Sequence, residues 1–223
     1  MALPESFLTE TGISCRIVVL ISGSGTNLQA IIDACGSGQI AGNVVGVISN
    51  EPSAYGLTRA LRANIVAVNL NHRDYESRTL YDQALGDAID TFSADLVVLA
   101  GFMRILSADF VKKFEGRLIN IHPSLLPDYR GLDTHRRVLA DRKSVHGATV
   151  HFVTEGLDEG PVIIQAQTSV DRTDTEMTLA DKVHAIEHQI YPQAIAWFAA
   201  GRLRLEDHHV TLDGNLISGG QTR

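Results

Sequence analysis

The chain has 223 residues, 44% of them hydrophobic and 20% charged, an ordinary globular composition with enough length to bury a substantial core. With 19 Lys and Arg against 26 Asp and Glu the net charge is −7, which removes any general attraction to nucleic acid or to an anionic membrane surface. No apolar run is long enough to span a bilayer, and residues 1–14 mix Pro, Glu, Ser, Thr and Gly without a basic-then-apolar leader pattern. Cys15 and Cys35 form neither a metal-ligand spacing nor a disulfide framework, so a reducing cytoplasm is the expected compartment.

In chain order, the apolar run at residues 16–21 reads as a buried strand, followed by a helix over 27–35 with Leu28, Ile31 and Ile32 on one side. Strands at 44–49 and 65–68 alternate with helices at 55–62 and 74–92. A further β-rich run at 95–100 precedes a helix near 108–114, and a strand entered from Arg117 leads to His122. Strand alternating with helix argues for a parallel sheet covered on both faces. Beyond residue 131 the pattern changes. A helix is expected at 134–141, then a half-exposed strand at 147–154, because its residues alternate, and an antiparallel neighbour at 161–170. A last long helix begins near Thr178, capped by Thr178-x-x-Asp181, with Val183, Ile186, Ile190, Ala194 and Trp197 on one stripe and Gly201 at its end. Asp213-Gly214 suits a terminal hairpin turn. The expected architecture is therefore α/β: one open twisted sheet, with a parallel Rossmann-like N-terminal half, an antiparallel extension and helices on both faces. It forms a single domain over 16–217, with flexible tails at 1–15 and 218–223.

The most informative stretch is Asn120-Ile-His122-Pro123 at the end of a strand. Positions i and i+2 of extended backbone project to the same side. Asn120 supplies a neutral amide donor suited to an oxyanion, and His122 the side chain that titrates nearest neutrality. Together they point to acyl-group chemistry. Asp158, in the Gly-containing connection 155–161, has two readings: a carboxylate that orients an imidazole, or an Asp favoured by a turn. Ser22-Gly-Ser-Gly-Thr-Asn27 lies between the first strand and first helix, where an open sheet offers backbone N–H groups to an anion. Gly23 and Gly25 allow a tight turn, and Thr26 or Asn27 can cap the helix and donate to phosphate. The loop lacks the Lys of a Walker A motif and the third Gly of a dinucleotide fingerprint; the plain alternative is a turn without a ligand. His184-Ala-Ile-Glu187-His188 matches the H-x-x-E-H pattern of inverted zinc peptidases, but no third ligand is evident. A polar helix face lining the site is the expectation there. His72, His146, His208 and His209 are expected to be exposed or structural.

Several segments in one order carry a resemblance: residues 17–30, 98–106, 120–127, 147–153, and Leu157-Asp-x-Gly-Pro161. Together they resemble the phosphoribosylglycinamide formyltransferases of the formyltransferase superfamily, from about residue 16 to residue 216. The resemblance implies transfer of the formyl group of 10-formyltetrahydrofolate, the co-substrate, to the amine of glycinamide ribonucleotide in de novo purine biosynthesis. It assigns catalysis to Asn120, His122 and Asp158. It puts Gly25, Thr26, Asn27 and Glu187 against the ribonucleotide. On the folate side it puts Arg78, Met103, Arg104, Ile105, Leu106, Asn120, Thr154, Glu155, Gly156, Leu157 and Asp158. No metal, nucleic acid or membrane partner is implied, and a homodimer is compatible with it. Asp133 stands where related enzymes often have a histidine, and His184 occupies a variable position, so neither is counted among the expected site residues.

The residues and the resemblance converge on one scheme. The amine attacks the formyl carbon, Asn120 and protonated His122 donate to the oxyanion, and Asp158 keeps His122 charged while helping the proton reach the leaving folate nitrogen. Three alternatives share parts of this equipment: a 10-formyltetrahydrofolate hydrolase, a methionyl-tRNA formyltransferase-like enzyme, and a non-catalytic nucleotide-binding module using the Gly-rich loop alone. The acidic charge disfavours the second, and the full polar trio disfavours the last.

Overall fold

The computed structural model describes residues 14–217 and 221–222. Strand and helix alternate through β1 (Cys15–Ile21), α1 (Thr26–Gly36), β2 (Gly42–Ser49), α2 (Tyr55–Arg62), β3 (Ala67–Asn69), α3 (Arg78–Asp90), β4 (Leu96–Leu99), α4 (Ala108–Lys113) and β5 (Leu118–His122). Then come α5 (Thr134–Ala140), β6 (Val145–Phe152), β7 (Val162–Ser169) and the long α6 (Glu176–Ala199). A small sheet of β8 (Leu203–Glu206), β9 (His209–Leu212) and β10 (Asn215–Leu216) turns at Asp213-Gly214, as expected, and β11 (Gln221–Thr222) pairs with β7. The expected tails lie mostly outside the described residues; Cys15 already belongs to β1, and residues 221 and 222 to β11.

The main sheet has the order β11-β7-β6-β5-β4-β1-β2-β3. Strands β1 to β5 pair in parallel, and β6 and β7 add antiparallel neighbours. The expected α/β class with an antiparallel extension is what forms. Alternation along β1 shows why both faces must be covered. Ile17, Val19 and Ile21 join a core with Leu28 and Ile31 of α1 and Val183, Ile190 and Ala194 of α6. Val18 and Leu20 join the opposite core with Tyr81, Leu85 and Ile89 of α3 and Phe110 and Phe114. Each fully buried side chain of this kind stabilises by roughly 1.5–3 kcal/mol, well beyond exposed ion pairs. The helix layers therefore hold the sheet. The strand order reverses between β1 and β4, and the crevice at the carboxyl ends of strands beside such a reversal is where open α/β sheets take ligands.

Four expectations need correction. The helix predicted over 74–92 starts only at Arg78, because Ser77 is extended and its hydroxyl accepts the Leu80 N–H at 3.2 Å as N-cap; a short 3-10 turn at His72–Asp74 precedes it. The strand expected at 65–68 shifts to 67–69, since the Ile65 N–H still donates to Ala60 at the end of α2. The cap of α6 is Thr175, with Thr178 as its reciprocal partner rather than the cap itself. Finally, β6 is not half-exposed: His146 to Phe152 are all buried.

The polar members of β6 are satisfied inside the protein instead of by water. Thr149 Oγ1 donates to Ser124 O (2.6 Å) and accepts from the Leu126 N–H (3.0 Å) and Gln165 Nε2 (2.9 Å). These bonds tie down the corner holding the cis Leu126–Pro127 peptide. His146 Nε2 meets His135 Nδ1 at 3.0 Å. Burial, then the charges of His135 and His122, push the His146 pKa from 6.5 down to about 4. The folded value is depressed, so the stability it contributes is present above pH 6.5 and lost as pH falls through about 4. Thermal denaturation between pH 7 and pH 4 should show that decline, with a shallower slope in His146→Gln; an equal slope would assign it to other groups.

Candidate active site

Strand β5 ends at the crevice, and its parity points Asn120 and His122 to one side, as their spacing requires. Antiparallel pairing sets Asn120 opposite His151 and His122 opposite Thr149. Asn120 Nδ2 lies 3.2 Å from His151 Nε2, while His151 Nδ1 is 2.8 Å from Phe152 O. A carbonyl only accepts, so Nδ1 carries the hydrogen of His151 and Nε2 accepts from the Asn120 amide. Burial pushes the His151 pKa down and keeps the ring neutral. The amide of Asn120 is thus fixed with its nitrogen inward, and its second N–H has no protein partner among the described residues.

His122 is 5% exposed. Its Nε2 donates to Tyr129 O at 2.9 Å, and its Nδ1 faces Asp158 Oδ2 at 3.4 Å. Both ring nitrogens therefore face acceptors, an arrangement that an imidazolium satisfies. Asp158 sits in the connection between β6 and β7 at φ 51°, left-handed backbone that Asp tolerates better than most residues. Its side chain is 9% exposed, accepts the Gly131 N–H at 2.9 Å, and places Oδ1 3.8 Å from His151 Nε2. Asp158 thus stands beside both imidazoles while occupying a left-handed turn position.

Asn120, His151 and Asp158 form the polar end of a cleft of about 110 Å³ whose apolar wall includes Leu99, Phe102, Leu106, Val111 and Val153, with His122 lying against Asp158. Arg104, Ile105, Thr154, Glu155, Gly156 and Leu157 complete it. Arg104 stacks its guanidinium over the Tyr81 ring at 5.7 Å. Met103 is 68% exposed and does not line this cleft, nor does Arg78, which is exposed in the first turn of α3. The expected folate-side residues are thus brought together, apart from these two.

The Gly-rich loop follows β1. Gly25 is the N-cap of α1 at φ 70°, without a side-chain cap. The caps expected from Thr26 or Asn27 do not form, because glycine holds the capping position; the first-turn N–H groups are left to face an anion. A Cβ on Gly25 would lie 2.7 Å from Gly56 Cα, and the Gly56 N–H donates to Gly23 O at 3.1 Å. Gly25→Ala should therefore be strained both by its φ and by backbone contact, costing about 1–3 kcal/mol. Chemical denaturation should register that loss; wild-type stability would show the loop to be more pliable than this packing implies.

Asn27 turns inward. Its Nδ2 donates to Glu187 Oε2 at 2.8 Å, and its Oδ1 is buried without a partner. Glu187, on α6, is 4% exposed, and burial raises its pKa. This engagement, together with the parallel His184 and His188 rings 6.3 Å apart, describes a polar helix face beside the loop. Among the described residues no group of three or more His, Cys, Asp or Glu is disposed to hold a metal ion, and no helix is long and apolar enough to cross a membrane. Tyr191, one turn beyond Glu187, reaches Leu99 O (2.9 Å) and Ile119 O (3.2 Å), locking α6 beneath β4 and β5.

Sequence reasoning missed His151 as the partner that orients Asn120. The strand carrying it was legible; the register opposing the two residues was not.

Comparisons with known proteins identify the family and agree with the fold. Residues 15–195 match the formyl transferase family. A phosphoribosylglycinamide formyltransferase of Escherichia coli (strain K12) is 52% identical over 202 residues, covering 91% of this chain and 95% of that protein. The human trifunctional purine biosynthetic protein adenosine-3 is 44% identical over 193 residues, covering 86% of this chain and 19% of that protein. The solved phosphoribosylglycinamide formyltransferase from Coxiella burnetii superposes with a TM-score of 0.89 at 50% identity, covering 93% of this chain and 98% of the other. The chain belongs to the formyl transferase family.

Proposed function

We propose that this chain transfers the formyl group of 10-formyltetrahydrofolate to the amine of glycinamide ribonucleotide, a step of purine biosynthesis. The observation that supports the residue roles is that Asn120 and Asp158 line one end of the cleft, with His122 Nδ1 3.4 Å from Asp158 Oδ2. The folate lies along the cleft between residues 104–106 and 154–158; Arg78 and Met103, outside the cleft lining, are assigned to the folate by the family resemblance alone. The ribonucleotide phosphate meets the N–H groups at Gly25, Thr26 and Asn27, and Glu187 is a further contact to the ribonucleotide.

The amine nitrogen attacks the formyl carbon, and the carbonyl electron pair moves onto oxygen. The free N–H of Asn120 and the Nδ1–H of His122 donate to that oxyanion. Asp158 holds the countercharge and, through water, passes the amine proton to the folate nitrogen. The carbon–nitrogen bond to folate then breaks, giving formylated ribonucleotide and tetrahydrofolate. No covalent enzyme intermediate or metal enters the scheme. The chain's cysteine usage is that of a cytoplasmic protein, and the resemblance is compatible with a homodimer; light scattering would check the pairing.

Incubating the purified chain with 10-formyltetrahydrofolate, with and without glycinamide ribonucleotide, tests the reading. Tetrahydrofolate formed only when the amine is present supports it. Equal release without the amine would make the chain a hydrolase, and binding without turnover a nucleotide-binding module.

A further inference from the structure

We propose that Ser22 is a positioning residue for the formyl donor, its hydroxyl pinning the 101–106 lip of the folate cleft to the Gly-rich loop across the crevice. This rests on the folate assignment of the cleft made above. Strands β1 and β4 are neighbours, yet the chain leaves them toward opposite faces: α1 packs in one core and the Phe110 and Phe114 region in the other. The loops beyond these strands therefore diverge, which opens the crevice. Something must then fix the lip's distance from the loop.

The lip has no regular structure, and Gly101 turns it out of β4 at φ +71°. Three hydrogen bonds hold its backbone among the described residues. The Ser22 N–H donates to Gly101 O at 3.1 Å, the Met103 N–H donates to Ser22 Oγ at 2.8 Å, and the Ser107 N–H donates to Asp82 Oδ2 at 2.6 Å. Two of the three belong to Ser22. Its own hydroxyl proton goes to Asn50 Oδ1 at 2.5 Å, which leaves a lone pair aimed at Met103. Asn50 is 2% exposed and is held in turn by His72, whose Nδ1 lies 3.2 Å from both the Asn50 amide nitrogen and its backbone oxygen. The hydroxyl thus has one orientation, set by a buried amide, and a hydroxyl rotor fixed this way is a rigid acceptor. Phe102 before it and Arg104, Ile105 and Leu106 after it line the cleft, so freeing Met103 should loosen the wall that the folate contacts.

The test compares Ser22→Ala and Ser22→Thr with wild type. Ser22→Ala is expected to raise the KM for 10-formyltetrahydrofolate, and the Kd of tetrahydrofolate by calorimetry, by about 3–10-fold, the size of one lost hydrogen bond. The KM for glycinamide ribonucleotide should stay within about twofold. Amide hydrogen exchange at Met103 should speed up, and Ser22→Thr, which keeps the hydroxyl, should restore folate affinity and exchange protection together. Unchanged folate affinity in Ser22→Ala overturns the proposal. So does a parallel rise in both KM values with a lower melting temperature and no rescue by threonine, which would make the residue merely structural. If the wild-type chain binds tetrahydrofolate with this Ser22 dependence but formylates no ribonucleotide, the transfer reading fails while the positioning role stands.

Discussion

Replacing His122 by alanine is expected to lower kcat for formyl transfer by about 10²–10³-fold, the usual consequence of deleting one oxyanion donor. The donor is needed only once the carbonyl oxygen becomes negative, so the loss should fall on kcat more than on either KM. His122 also donates to Tyr129 O at 2.9 Å, and the variant leaves that carbonyl short of a partner in a buried setting. A stability loss of about 1–3 kcal/mol is expected alongside, which circular dichroism and thermal denaturation separate from the kinetic effect. Asn120→Ala should lose turnover by a similar factor. It strands His151 Nε2, which the Asn120 amide otherwise satisfies at 3.2 Å. Near-normal kcat in either folded variant would remove that residue from the oxyanion site.

Asn120 and His122 were legible in the sequence because the argument for them is local. An apolar run ended by Pro123 marks a strand end, and i, i+2 spacing fixes a shared side whatever the strand pairs with. The parallel half of the sheet was legible for a related reason: short apolar runs alternating with helical patterns leave few ways to cover both faces. The apolar stripe of α6 came through periodicity, whereas its polar face at Glu187 came from the H-x-x-E-H pattern and the family resemblance.

What escaped was decided by partners distant in sequence. Alternation in β6 looked like one wet face and one dry face, yet Thr149 and His151 are buried because Ser124, Leu126, Gln165 and Asn120 supply their hydrogen bonds. A polar side chain at an alternating position reads the same whether water or protein satisfies it. Asn27 was expected to cap α1, but Glu187, 160 positions away, draws its amide inward. Ser22 gave no signal beyond membership of a Gly-rich loop, since its three polar partners come from beyond the ends of two other strands, β2 and β4. The start of α3 was misjudged by a smaller, local effect: a serine cap overrode a continuous helical pattern.

Asp158→Asn is expected to reduce kcat by about 10²–10⁴-fold, the range associated with a positioned proton-transfer group, while leaving the fold nearly intact. The substitution is isosteric, and its oxygen can still accept the Gly131 N–H that Asp158 Oδ2 accepts at 2.9 Å. The proton inventory changes instead. His122 Nε2 is committed to donating toward Tyr129 O, so Nδ1 carries a proton only in the imidazolium. Asp158 Oδ2 serves both the Gly131 N–H and His122 Nδ1, so an asparagine that keeps its oxygen there still faces Nδ1 with an acceptor but removes the carboxylate charge that would relay the amine proton. The variant should therefore keep its melting temperature within a few degrees and its KM values near wild type. Combining it with His122→Ala should lower kcat little further, because the two residues act as one unit. Multiplicative losses in the double variant would mean that Asp158 works independently of the imidazole, and its place beside Nδ1 would then need another explanation.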